Sequence, residues 1–80
     1  MAYFTYVLKS QKNKDIYIGS CKNVLIRLQR HNAGKVKSTK GYKPWNLLEY
    51  KEFTTRSEAV KHERFLKMHQ QKEIIKQKYL

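Results

Sequence analysis

Eighty residues carrying 18 Lys and Arg against 6 Asp and Glu, a formal net charge of +12, allow one domain at most and point to a polyanionic partner. The single cysteine, Cys21, excludes an internal disulfide, and no Cys/His pair has zinc-ligand spacing. The run Met1 to Lys9 is too short and too polar for a signal peptide or a membrane span.

A chain this short buries only about 60–65% of its unfolded surface, so its large apolar residues are all expected to work in a thin core. The reducing cytoplasm is the expected compartment. A polyanion, chiefly DNA or RNA, is the expected partner, with no membrane and no small-molecule cofactor, and the chain is expected to be a monomer or a weak homodimer. Between Asp15 and Glu49 no acid occurs, while Lys22, Arg27, Arg30, Lys35, Lys37, Lys40 and Lys43 fall there. Of these, Lys22, Arg30, Lys35, Lys37, Lys40 and Lys43 are the candidate nucleic-acid contacts, since phosphate binding needs a positive stretch that acids do not interrupt.

In chain order, Tyr3 to Leu8 is aromatic and β-branched and reads as a strand. The polar stretch Lys9 to Asp15 reads as a turn, and Ile16 to Gly19 as a second strand, giving an antiparallel hairpin. Asn23 suits an N-cap, and Val24, Leu25 and Leu28 give one apolar helix face running to about Ala33, with Gly34 placed to end it. Lys35 to Pro44 reads as a loop and Trp45 to Phe53 as a third strand. Thr55-Arg56-Ser57-Glu58 has capping-box form and opens a helix over 56–68. A last helical segment, Gln70 to Leu80, has Ile74, Ile75 and Tyr79 as apolar anchors. The order β-β-α-β-α-α predicts an α+β fold with a small three-stranded antiparallel sheet and flanking helices, spanning 1–80 as one domain.

Three placements suggest chemistry. Ala59, His62, Glu63 and Leu66 share one helix face, so Glu63 is either a carboxylate brought toward the core or one at its edge, paired with Lys67 at i+4. Arg27 and His31 are neighbours at i and i+4 beside the apolar stripe. They form either a phosphate fork with a group that titrates near neutral pH, or a plain surface pair. Tyr6 and Tyr17 lie on the two hairpin strands, where parity allows both rings on one side, and packing is their ordinary use. Cys21 reads as a small incidental thiol rather than a nucleophile.

Taken in order, Tyr6, Tyr17-Ile18-Gly19, Arg27, His31 and a later helical Glu63 resemble the GIY-YIG nuclease family. His31-Asn32, the stretch Ser57 to Lys67, and the phrase through Gly34, Thr39, Pro44, Trp45 and Leu47 resemble its small stand-alone branch, often called the UPF0213 type. The likeness covers nearly the whole chain. It departs at Phe4-Thr5-Tyr6, where only the tyrosine of Gly-Ile-Tyr is kept, and at Ser20, where some members have lysine.

The resemblance implies a metal-dependent endonuclease acting on DNA, with structured or damaged DNA among the candidate substrates and repair or recombination as the setting. It implies catalytic roles for Tyr6, Tyr17, Arg27, His31 and Glu63. Glu63 would hold Mg²⁺ or Mn²⁺, and Arg27 would face the scissile phosphate. Tyr17 would activate water directly or through His31, and Tyr6 would hydrogen-bond the phosphate or the water. The implied products are a 5′ phosphate and a 3′ hydroxyl. The alternative is a non-catalytic nucleic-acid-binding module that keeps the nuclease fold.

Overall fold

The structure is a computed structural model that describes residues 2–79. It has β1 (Tyr3–Ser10), β2 (Ile16–Cys21), α1 (Val24–Asn32), a short 3-10 turn (Lys40–Tyr42), β3 (Trp45–Phe53), α2 (Arg56–Leu66) and α3 (His69–Lys78). The element order matches the expected one. The predicted end of the last helix, Leu80, lies outside the described residues, as does Met1.

The sheet runs β2-β1-β3, all antiparallel, so the first strand is central and β2 is an edge. Strand alternation sends neighbouring side chains of β1 to opposite faces. On one face Val7 meets Ile16 and Ile18, and Leu66 of α2 and Ile75 of α3 close that aliphatic layer. Thr5, on the same face, donates its hydroxyl to the Ala59 carbonyl at 2.7 Å and fixes α2 to β1. On the other face Tyr6 and Leu8 pack with Val24 of α1 and with Trp45, and Tyr17, Leu28 and Leu47 lie against them. The sheet thus separates α1 from α2 and α3.

Local chemistry sets the ends of the helices. Asn23 caps α1 by accepting the Ile26 N–H, and Gly34 takes φ +75° just beyond its end, where a side chain would be strained. Thr55 and Glu58 form the predicted capping box of α2. The hairpin is closed by Ser10, whose hydroxyl oxygen accepts the N–H groups of Lys12 and Asn13.

The expectation that every large apolar residue serves the core is corrected. Leu25, Ile26, Tyr50, Met68 and Ile74 are more than half exposed. An 80-residue chain has too little interior to cover them. Leu25 in particular leaves the α1 stripe, which rests on Val24, Leu28 and His31 instead.

Candidate active site

The register brings the hairpin tyrosines together. Tyr6 faces Gly19 across the ladder and Leu8 faces Tyr17, which puts both rings on the α1 side with centroids 6.2 Å apart. Gly19 has a steric reason to be glycine. A Cβ there would lie 2.6 Å from the Tyr6 hydroxyl oxygen, so the missing side chain lets the phenol pass over β2 toward α1.

There it meets two α1 side chains one turn apart. Tyr6 Oη lies 3.0 Å from His31 Nε2, and Arg27 Nε donates to the same oxygen at 3.4 Å. The Tyr17 ring stands edge-on to His31 at 4.9 Å and to Trp45 at 6.1 Å. The other imidazole nitrogen, Nδ1, is 2.7 Å from Thr39 Oγ1. Trp45 is held in turn, its indole N–H donating to the Thr39 carbonyl at 3.0 Å. Asn32 joins the end of α1 to the start of β3, accepting the Trp45 N–H at 2.6 Å and donating to the Trp45 carbonyl at 3.1 Å.

Tyr6, Tyr17, Arg27 and His31 therefore form one contiguous cluster. Two expectations about it are corrected. His31 is not half of a surface pair; it is fully buried, because the Tyr6 and Tyr17 rings and the loop carrying Thr39 close over it. Nor does it titrate near neutrality. Burial, with the Arg27 charge second, lowers its pKa to about 4, so the ring is neutral at pH 7. Tyr6 is 1% exposed, with its hydroxyl held between His31 and Arg27. Burial raises that phenol to about 12, against the smaller opposing effect of the Arg27 hydrogen bond. Arg27 itself is half-buried and held protonated, first by the Tyr6 hydrogen bond. Cys21 fits the incidental reading, its thiol pushed up chiefly by burial and not activated.

Glu63 stands apart. It accepts from Lys67 Nζ at 2.7 Å, the i+4 pair foreseen from spacing, with its side chain 19% exposed. No hydrogen bond or ion pair among the described residues joins it to Tyr6, Tyr17, Arg27 or His31, and its helix covers the aliphatic face. The two sides approach each other at the edge strand. Arg56, two turns before Glu63 on the same side of α2, lines a cavity with Ser20, Cys21 and Lys22.

No three His, Cys, Asp or Glu gather into a cation site among the described residues. The donor set therefore fits no closed cage. A single partly exposed carboxylate does fit Mg²⁺, which keeps several waters and borrows phosphate oxygens. The six candidate contacts Lys22, Arg30, Lys35, Lys37, Lys40 and Lys43 are all exposed. The ion pairs of the described structure use Lys67, Lys76 and Lys78, and none of those six.

Sequence reasoning gave no role to Asn32, Thr39 or Trp45. Thr39 and Trp45 carried no signal beyond their place in a phrase of the family likeness. A threonine in a lysine-rich loop has no periodicity to mark it as buried, yet it is 1% exposed.

A small three-stranded sheet with a tyrosine, arginine and histidine cluster on the face under α1 defines a compact α+β domain with a candidate phosphate site. The comparisons narrow it. The GIY-YIG catalytic domain family matches residues 2–79, and the chain belongs to that family. A UPF0213 protein of Staphylococcus epidermidis is 35% identical over 75 residues, covering 92% of this chain and 90% of that one. One from Listeria monocytogenes is 44% identical over 62 residues, covering 76% and 68%. The solution NMR structure of a UPF0213 protein from Bacillus halodurans overlays with a TM-score of 0.57 at 28% identity, covering 94% of this chain and 82% of that one. Among the described residues no helix is long and apolar enough to cross a membrane.

Proposed function

We infer that this chain is a divalent-metal-dependent endonuclease that hydrolyses phosphodiester bonds in DNA. One observation carries the reading: a buried, hydrogen-bonded Tyr6–His31 pair holds Arg27 by its Nε, beside the half-buried Tyr17. The fork's two terminal amino groups lie toward Tyr17, and a phosphate suits their geometry. Arg27 would face the scissile phosphate and neutralise the charge that grows in the transition state.

Tyr6, with its proton held firmly, and neutral His31 set the frame and do not take the proton from water. Tyr17 is left as the group that orients and activates the attacking water. Glu63 would hold Mg²⁺ or Mn²⁺ once Lys67 lets go, and an i,i+4 pair of this kind is worth only about 0.3–0.5 kcal/mol. Such an ion would polarise the phosphate and stabilise the leaving oxygen. The exposed lysines and Arg30 would grip the flanking backbone without reading sequence.

The position of Glu63, on the helix that covers the opposite face, favours a second reading: a DNA-binding module without catalysis. Nicking of supercoiled plasmid in Mg²⁺ separates the two. The wild type nicks, and Arg27→Ala loses about 10²–10³-fold of the rate while still binding plasmid. Glu63→Gln loses activity that added metal does not restore. A wild type no faster than both variants ends the enzyme reading and leaves the module.

A further inference from the structure

We propose that Thr39 is a positioning residue of this site, its hydroxyl fixing His31 as the Nδ1–H tautomer so that the buried hydrogen-bond chain runs in one direction. Its bearing on hydrolysis rests on the nuclease reading; the tautomer itself does not.

The direction follows from counting protons. The Thr39 hydroxyl has one, and the Val36 carbonyl 3.3 Å away can accept it. With its proton placed there, its oxygen, 2.7 Å from His31 Nδ1, accepts. An imidazole that donates from Nδ1 and is neutral carries its lone pair on Nε2. Tyr6 lies 3.0 Å from that nitrogen, so its hydroxyl donates there, and its oxygen accepts the Arg27 Nε–H at 3.4 Å. Every proton in the chain is used once, from Arg27 through Tyr6 and His31 to Thr39 and Val36.

The opposite tautomer fails the same count. With the proton on Nε2, the Tyr6 oxygen would accept from both His31 and Arg27. The Tyr6 proton would then point at no acceptor among the described residues, in a side chain 1% exposed. A buried donor without a partner is what folded proteins avoid. A doubly protonated ring is opposed by burial and by the Arg27 charge beside it.

The consequence reaches the outer end of the chain. With Nε2 as acceptor, the Tyr6 proton turns inward and the Tyr6 oxygen is free to hold Arg27 by Nε. Without the Thr39 hydroxyl the ring can take its proton on Nε2. The Nε2–H and the Arg27 Nε–H then compete for one oxygen, and the guanidinium loses its anchor. Thr39 touches no substrate in this scheme; it acts through His31 and Tyr6.

Long-range ¹H–¹⁵N spectra of the histidines test this directly. Wild-type His31 is expected to show a protonated Nδ1 and an unprotonated Nε2 at pH 7, unchanged down to pH 5. In Thr39→Val the Nε2–H form grows in, and Thr39→Ser restores the original pattern. An Nε2–H ring in the wild type overturns the proposal, as does an unchanged Nδ1–H ring in Thr39→Val. Should Thr39→Val not fold, the wild-type spectrum still decides the tautomer, and Thr39→Ala takes the variant's place.

In the nicking assay Thr39→Val is expected to lower kcat about tenfold with KM unchanged, and Thr39→Ser to recover it. A wild type that nicks nothing sinks the nuclease reading and leaves the tautomer result standing. An Nε2–H spectrum in an active enzyme sinks the Thr39 proposal alone.

Discussion

The two faces of the sheet are built on different principles. Against α2 and α3, Val7, Ile16, Ile18, Leu66 and Ile75 form an aliphatic layer stabilised mainly by burial, with the Thr5 hydrogen bond to the Ala59 carbonyl beside it. Against α1, Tyr6 and His31 are buried with Thr39, three groups that carry polar atoms, and each such atom has a partner. No buried side-chain nitrogen or oxygen among the described residues lacks one. A layer of that kind is a poor choice for stability, since its hydrogen bonds only replace those made with water. Its worth is geometric, because a satisfied network holds one arrangement and penalises every other. One strand serves both faces, since consecutive β1 residues alternate between them.

The contrast predicts that damage to the aliphatic face costs stability and that damage to the other costs geometry. The largest effect is expected from Ile75→Ala, which should destabilise the chain by about 3 kcal/mol in urea unfolding while nicking per folded molecule stays near wild type. Loss of activity in the folded variant would show that the faces are not independent.

Acid acts on the polar face. The unfolded chain protonates His31 near its ordinary pKa of about 6.5, while the folded chain refuses the proton until about 4. Stability is therefore intact above about pH 6.5 and falls as pH drops from there to 4, by about 3 kcal/mol once the window is crossed. His62, lowered first by burial and then by Lys51, adds in the same direction. Unfolding midpoints between pH 6.5 and 5, above the carboxylate range, should fall in the wild type and fall less in His31→Gln. A flat profile in the wild type would mean that the ring is more open to water than the geometry shows.

A smaller effect is expected from Gly19→Ala. The new methyl would overlap the Tyr6 hydroxyl, destabilising the fold by about 2 kcal/mol and lowering nicking beyond what lost stability explains. If activity per folded molecule is unchanged, the passage of Tyr6 over β2 does not matter to the site. The smallest effect belongs to Lys67→Met, expected to shift stability by less than about 0.5 kcal/mol because the pair is an i,i+4 contact whose lysine is half exposed. Should that substitution cost more, Glu63 is held too firmly to exchange its lysine for a metal ion.

Much of the fold was legible in the sequence because its signals are local. Aromatic and β-branched runs, the Asn23 cap, Gly34 and the Thr55–Glu58 box each act within a few residues, and the structure uses all of them. The candidate site was legible only in part. Spacing alone left packing open for Tyr6 and Tyr17 and a surface pair open for Arg27 and His31, and it was the family resemblance that grouped the four; the pairing of Glu63 with Lys67 followed from helical geometry. Burial was harder to read. Arg27 and His31 are both polar and one turn apart, yet only His31 lies under the aromatic rings.

What the sequence alone determined, then, is which side chains are available and where each local segment begins and ends, since those depend on neighbours along the chain. Tertiary structure decided that His31 is buried, that the Tyr6 hydroxyl is held between His31 and Arg27 and that Thr39 belongs to the cluster. It also placed Glu63 on the helix covering the other face. Each of these depends on residues distant in sequence meeting across the sheet, with Tyr6 and His31 twenty-five positions apart. Burial and hydrogen-bond direction are properties of such meetings, and no local pattern encodes them.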